Sequence, residues 1–371
     1  VVELAGLGPA QHGAMMLADL GAEVIRIDRP ESVAERNPEG PAPELLARGR
    51  RSLALNLKAP AGRELLERLL DRADVLVDPY RPGVLERLDL DPARLLESKP
   101  RLIVARMTGW GQSGPLAPTA GHDINYLAIA GALEAIGDAD RPPPPPLNLV
   151  GDFGGGGMML AFAVAAALYE RERSDRGQVL DVAMVDGVAS LLTSIYQVTA
   201  EGLWSGERGS HWLQGGAPWY RAYRTADGRF VTVGALEAPF YANLLAALGL
   251  DPDEWPQWDE ASWPRQRERL AEIFAAETMA TWTGRLGTAE CCFAPVMRTD
   301  EAAASGHMVE RGTYVEVDGR PQPAPAPRFG RTPGRLTAPP PWPGEHTAEI
   351  LAEEGVDAEA LAALRAGGAV R

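Results

Sequence analysis

Apolar positions in the N-terminal half fall into short runs of two alternating kinds. Val1–Leu4, Glu23–Asp28, Arg51–Asn56, Asp74–Val77 and Leu102–Met107 are brief, nearly continuous apolar runs of strand length. Between them, Gln11–Leu20, Gly62–Ala73 and Pro92–Ser98 carry helical spacing. Strands alternating with helices predict an α/β fold, a Rossmann-like domain with a parallel sheet covered on both faces. Gly155–Arg171 is apolar on nearly every side, which predicts a buried helix. A strand over Gln178–Val182 and a helix from about Met184 follow.

The texture then changes. Glu201–Gly215 is rich in Gly, Trp and Ser and reads as linker. Tyr220–Thr225 and Arg229–Gly234 flank Ala226-Asp227-Gly228 and read as a hairpin. Helices are expected over Pro239–Leu248, Trp263–Glu277 and Thr278–Leu286. This is the pattern of a smaller α+β domain. Pro321–Pro343 reads as an extended connector, and the tail from Thr347 as helix that returns to cover part of the fold. The expected organisation is a large domain over 1–185, a linker over 186–213, a small domain over 214–318, a second linker over 319–326, and a return to the large domain over 327–371.

Composition agrees with two domains: 371 residues, 45% apolar and 23% charged. The two cysteines, Cys291 and Cys292, are adjacent, which excludes a disulfide scaffold and suits a reducing cytoplasm. No metal site is expected. The longest strongly apolar stretch, Met158–Tyr169, is too short to span a bilayer. No signal peptide is visible, and since Val1 lies inside a strand-like run, the natural chain is expected to begin a few residues earlier. A net charge of −15 argues against general nucleic-acid binding and against an anionic membrane surface. It leaves a phosphorylated small molecule open, because such binding depends on local charge.

Gly6-Leu7-Gly8 follows a strand and precedes a helix, and Asp28 ends the next strand, which invites a dinucleotide-binding reading. The next glycine is Gly13, five residues after Gly8 rather than three, so the fingerprint is broken. Arg29, directly after Asp28, suits an anionic ligand better than a ribose.

Three places could carry chemistry. Gly121-His122-Asp123-Ile124-Asn125-Tyr126 contains a histidine that, by itself, is more often structural. In Asn148-Leu149-Val150-Gly151-Asp152-Phe153, Asp152 precedes four glycines and a long helix and could be a simple N-cap. Four glycines are costly in backbone entropy, however, and would let a ligand approach free N–H groups at the positive end of a helix. Glu237 stands just beyond an apolar strand, as a solvated loop acid or a functional one.

The strings GHDINY, NLVGDFGGGG, DVLVDPYRPGVLERL, ARMTGWGQSGP and VVELAGLGP…MMLADLGAEVIRIDRP resemble the alpha-methylacyl-CoA racemase group of the family III CoA-transferase superfamily, over nearly the whole chain. The segment Glu31–Leu46 departs from that pattern by extra length. The resemblance implies a cofactor-independent racemase acting on the carbon next to a CoA thioester. It implies that His122 and Asp152 are the acid/base groups and that Glu237 orients the histidine. It also implies an intertwined homodimer and a CoA site drawing on Arg29, Leu57, Lys58, Arg81 and Arg87, with Tyr126, Asn148 and Gly154 completing the substrate contacts.

Elementary chemistry fits these roles. Inverting a stereocentre needs a base on one face and an acid on the other, and the enolate oxygen needs donors, for which the backbone N–H groups near Asp152–Gly155 are candidates. Met107, Met158, Met159 and Met184 could line a pliable acyl surface or simply pack the core. The rival expectation is a family III CoA-transferase, in which Asp152 is the nucleophile and His122 has no necessary role. A CoA-binding regulator without catalysis is the non-enzymatic alternative.

Overall fold

A computed structural model describes residues 1–34, 43–317 and 319–371. The chain divides into two compact units. The first comprises residues 1–130, 145–192 and 312–371, and the second residues 131–144 and 193–311.

The first unit is built on a six-stranded, wholly parallel sheet in the order β3-β2-β1-β4-β5-β6. The strands are β1 Val2–Leu4, β2 Val24–Asp28, β3 Arg50–Ala54, β4 Val75–Asp78, β5 Ile103–Thr108 and β6 Val179–Ala183. Register pairs Val2 with Ile25 on one side and with Leu76 on the other. Alternate residues feed two cores. Leu4, Ile27, Leu53, Leu76 and Val104 face one, with Leu66 and Leu69 of helix Pro60–Leu70; Val75, Val77, Ile103, Ala105 and Met107 face the other, with Leu160 and Val164. Burial on both faces is why these strands read as near-continuous apolar runs. The C-terminal tail supplies Ile350, Leu351 and Val370 to the first core, and Val370 bridges Leu55.

Two charged pairs run under the sheet's ends. Arg50 donates to Glu3 at 2.5 Å with both side chains fully buried; burial pushes the Glu3 carboxyl up, and Arg50 opposes it. Arg106 donates to Asp78 at 3.0 Å and to Glu86 at 2.9 Å. A buried charge is tolerated only when paired in this way.

The helix read as Gly155–Arg171 starts earlier. A wide π-helical turn runs Leu149–Met158 and continues as α-helix over Met159–Ser174. Asn148, not Asp152, occupies the N-cap position, and Asp152 lies inside the first turn. The continuous helix of 26 residues is long and apolar enough to cross a membrane by length and composition, which the 12-residue count missed. Nor is it buried all round: Phe162 is 69% exposed and Tyr169 64%.

The second unit holds a three-stranded antiparallel sheet, β7 Tyr220–Arg224, β8 Phe230–Gly234 and β9 Phe293–Pro295. Helices Ala238–Leu248, Trp263–Ala275 and Met279–Leu286 pack on it around Trp219, Phe274 and Trp282. The hairpin fell where its turn residues predicted; β9 was not foreseen. Residues 186–213, expected as linker, include most of helix Met184–Leu191 and all of Thr193–Ala200. A further hairpin, β10 Tyr314–Val317 with β11 Arg320–Pro323, opens the Pro-rich stretch and belongs to the first unit.

Candidate active site

In an open parallel sheet, ligands bind beyond the carboxyl ends of the strands where the order reverses. Here that point lies between β1 and β4, and two cavities open there. One, of about 510 Å³, is lined by residues following β1 (Ala5, Gly6, Leu7), β2 (Arg29), β4 (Pro79–Pro82) and the end of β5 (Met107, Thr108), together with His122, Tyr126 and Asp152. The other, of about 920 Å³, is lined by Arg29, Leu57, Lys58, Arg81 and Arg87. The two share Asp28, Arg29, Ser32 and Pro79–Pro82 and so adjoin one another in one depression.

Its outer part is positive in a strongly acidic chain. Arg29, Lys58, Arg81 and Arg87 are exposed, and none joins an ion pair among the described residues, whereas Arg26, Arg48, Arg50 and Arg106 are all paired. Four cations without an ion-pair partner among the described residues, around one cavity, suit charge-assisted contacts to phosphates. The dinucleotide alternative loses its acid: Asp28 is buried, bonded by Arg26 at 3.1 Å and by Ser52 at 2.7 Å. Gly6 is required by the close packing of Pro79 rather than by a pyrophosphate. Of the segment Glu31–Leu46, residues 35–42 lie outside the described ones.

At the inner end, His122 precedes helix Asp123–Ala130; its N–H donates to Asn125 Oδ1 at 3.0 Å, and its side chain is exposed. Beneath it, the Tyr126 hydroxyl donates to the Gly121 carbonyl at 2.5 Å and the ring meets Trp110 edge-on at 4.8 Å, fixing the loop that carries the histidine. Asp152 is half-buried. Its Oδ2 accepts from Asn148 at 3.3 Å. Burial raises its pKa first; Asn148 opposes that, the charge of Asp123 adds to it, and His122 opposes it. The carboxyl therefore tends toward its neutral, proton-donating form.

Several expectations change here. Of the four glycines, Gly155, Gly156 and Gly157 are buried against neighbouring helices, not open to a ligand. A Cβ on Gly155 would stand 2.8 Å from the Val188 nitrogen, and one on Gly157 would stand 2.9 Å from the Pro9 carbonyl. The N–H of Asp152 donates to Asp123 Oδ2 at 2.7 Å and that of Phe153 to the Asn148 carbonyl at 3.3 Å, so these backbone groups are committed to the fold and not free to meet an enolate. Gly154 and Asn148 do not line the cavity. Met107 and Met184 do, but Met158 and Met159 do not. Asp123 was missed altogether; its place beside His122 in the sequence was the available signal. Glu237 stands in the second unit, exposed, in the N-cap position of helix Ala238–Leu248, with no side-chain capping bond.

Residues 1–347 match the profile of CoA-transferase family III. The chain is 47% identical over 365 residues to alpha-methylacyl-CoA racemase of Mus musculus, covering 97% of this chain and 93% of that protein. It is 44% identical over 372 residues to the Homo sapiens racemase, covering 97% and 94%. The chain belongs to CoA-transferase family III. The resemblance read from the motifs therefore holds over nearly the full length. A solved CaiB/BaiF family protein from Brucella suis superposes with a TM-score of 0.82 at 26% identity, covering 95% of this chain and 97% of that one, and carries the same mixed α/β architecture. In this family III chain the depression thus lies at the carboxyl ends of the central strands and is lined on its outer side by cations.

Proposed function

We propose that the chain is a cofactor-independent racemase that inverts the α-carbon of 2-methylacyl-CoA thioesters by 1,1-proton transfer through an enolate. The observation that carries this reading is that His122 and Asp152 line one cavity, which adjoins the cation-lined one and shares Arg29 and Arg81 with it. The near-45% identity to two named racemases supports it.

In the scheme, neutral His122 removes the α-proton from one face while protonated Asp152 delivers a proton to the other. The products are charged His122 and ionised Asp152, which serve the reverse direction. The pair carries one proton before and after inversion and two while the enolate stands, so the free enzyme has a form ready for each direction. Burial of Asp152 supports the scheme by favouring the proton-donating form. With the Asp152 and Phe153 amides committed, the enolate is stabilised by the positive end of the helix beginning at Leu149. Arg29, Lys58, Arg81 and Arg87 hold the CoA phosphates, and Met107 and Met184 shape the acyl end. On the family resemblance, Glu237 orients His122 and the protein acts as a homodimer; the exposed Met158, Phe162 and Tyr169 are apolar surface that a second copy would cover.

The test is incubation of a single epimer of a 2-methylacyl-CoA in heavy water without an acceptor. Racemisation with α-deuterium uptake is the expected result. Absence of exchange, with CoA passing instead to an added free acid, would give the site to Asp152 as a transferase nucleophile and sink the racemase reading.

A further inference from the structure

Asp123 is 7% exposed, and its Oδ2 accepts the Asp152 N–H at 2.7 Å. Its other oxygen is buried with no hydrogen-bond partner among the described residues. A buried carboxylate with one oxygen unpaired is costly, so a local structural need alone would favour an amide or a hydroxyl here. The approach is also close. A Cβ on Gly151 would stand 2.5 Å from Asp123 Oδ2, so the glycine before Asp152 is what lets the carboxylate reach the backbone. Asp123 also follows His122 directly and opens the helix whose first turn is fixed by the His122 carbonyl and Asn125. One short segment therefore presents the histidine to the cavity and holds the backbone of the aspartate.

We propose that Asp123 is a positioning residue for the acid/base pair: its carboxylate holds the Asp152 backbone at the cavity wall, and its negative charge disfavours a second one on the Asp152 side chain. The inference rests on the racemase reading and adds to it the residue that sets when Asp152 carries its proton. Asp123, His122 and Tyr126 face Asp152 from the segment 121–126; Arg29 and Arg81 line the same cavity, as does the Arg26–Asp28 pair, and the Asn148 amide is the neutral neighbour. Among these, Asp123 adds negative charge beside Asp152, and the direction of the Asp152 shift agrees.

Two variants separate hydrogen bond from charge. Asp123→Asn keeps an acceptor for the Asp152 N–H and removes the charge; Asp123→Ala removes both. For Asn, kcat at neutral pH stays within a few-fold of wild type, KM is unchanged, and the limb of the kcat/KM profile that Asp152 sets moves to lower pH, because Asp152 becomes a stronger acid. For Ala, kcat falls roughly tenfold to a hundredfold, as expected when a reacting group is displaced by about 1 Å, with KM again little changed. A ¹³C titration of the Asp152 carboxyl follows the same shift without turnover. An unmoved pH profile and unmoved carboxyl titration in a folded Asp123→Asn variant would overturn the proposal, as would full kcat in Asp123→Ala. If wild type itself exchanges no α-proton, the racemase reading fails first; if wild type exchanges and the Asn profile stays put, only the role of Asp123 fails.

Discussion

Gly155→Ala tests why Asp152 sits where it does. A methyl at this position would lie 2.8 Å from the Val188 nitrogen and 3.1 Å from the Met184 carbonyl, both of them backbone atoms of helix Met184–Leu191 that cannot swing aside as a side chain can. The two helices must separate by several tenths of an ångström. Overpacking of this kind costs about 1–3 kcal/mol, from which the better helix propensity of alanine recovers up to about 1 kcal/mol. At roughly 2–4 °C per kcal/mol for a domain of this size, the melting temperature drops by several degrees. Gly284, inside helix Met279–Leu286, has nothing within 4 Å of the point a Cβ would occupy, so Gly284→Ala should gain up to about 1 kcal/mol and melt slightly higher. Activity separates the two further. Asp152 lies one helical turn before Gly155, and a displacement near 1 Å costs on the order of a hundredfold in rate. Thermal melts and α-deuterium exchange on both variants read these effects. A Gly155→Ala protein that melts with wild type and exchanges at full rate would refute the close-packing account and restore the idea that the glycines serve a ligand.

Further outcomes follow from individual groups. Burial pushes the Asp78 carboxyl up to about 6 from its ordinary 3.8, so the folded chain holds that proton more tightly than the unfolded one. Its contribution to stability is then fully present below 3.8 and lost as pH rises through about 6. Denaturant melts should show the stability difference Asp78→Asn minus wild type rising with pH across that window and level above it; a flat difference contradicts the assignment. Lys58→Ala and Arg87→Ala, which touch only the outer cavity, should raise KM for CoA esters several-fold and leave kcat nearly unchanged, and a kcat loss without a KM change would place them elsewhere in the mechanism. Glu237→Gln should lower kcat more than it weakens CoA binding, as measured by turnover beside direct titration with CoA; weakened binding at intact turnover would remove it from the orienting role.

The parallel sheet was legible because strands buried on both faces leave unbroken apolar runs, and Val75, Leu76 and Val77 need no partner information to be read as one. The charges under it were not. Glu3 and Arg50 stand 47 positions apart, and only the strand order brings them together. The same holds for Arg106, which ties Asp78 at the end of β4 to Glu86. His122 and Asp152 could be singled out because their motifs are local, and both line the inner cavity. The purpose of the glycines after Asp152 was misread because helix-on-helix approach and ligand approach leave the same mark in a sequence: a missing side chain. Asp123 escaped because its partner is a backbone N–H twenty-nine residues away, which composition and spacing do not reveal.

The most direct measurement is face-resolved proton exchange in single variants. His122→Ala and Asp152→Ala, each incubated with separate epimers of one 2-methylacyl-CoA in heavy water, should fail to interconvert the epimers. Any remaining α-deuterium uptake should be confined to one epimer in the first variant and to the opposite epimer in the second. Interconversion by either variant at a rate near that of wild type would contradict an imidazole and a carboxyl working from opposite faces.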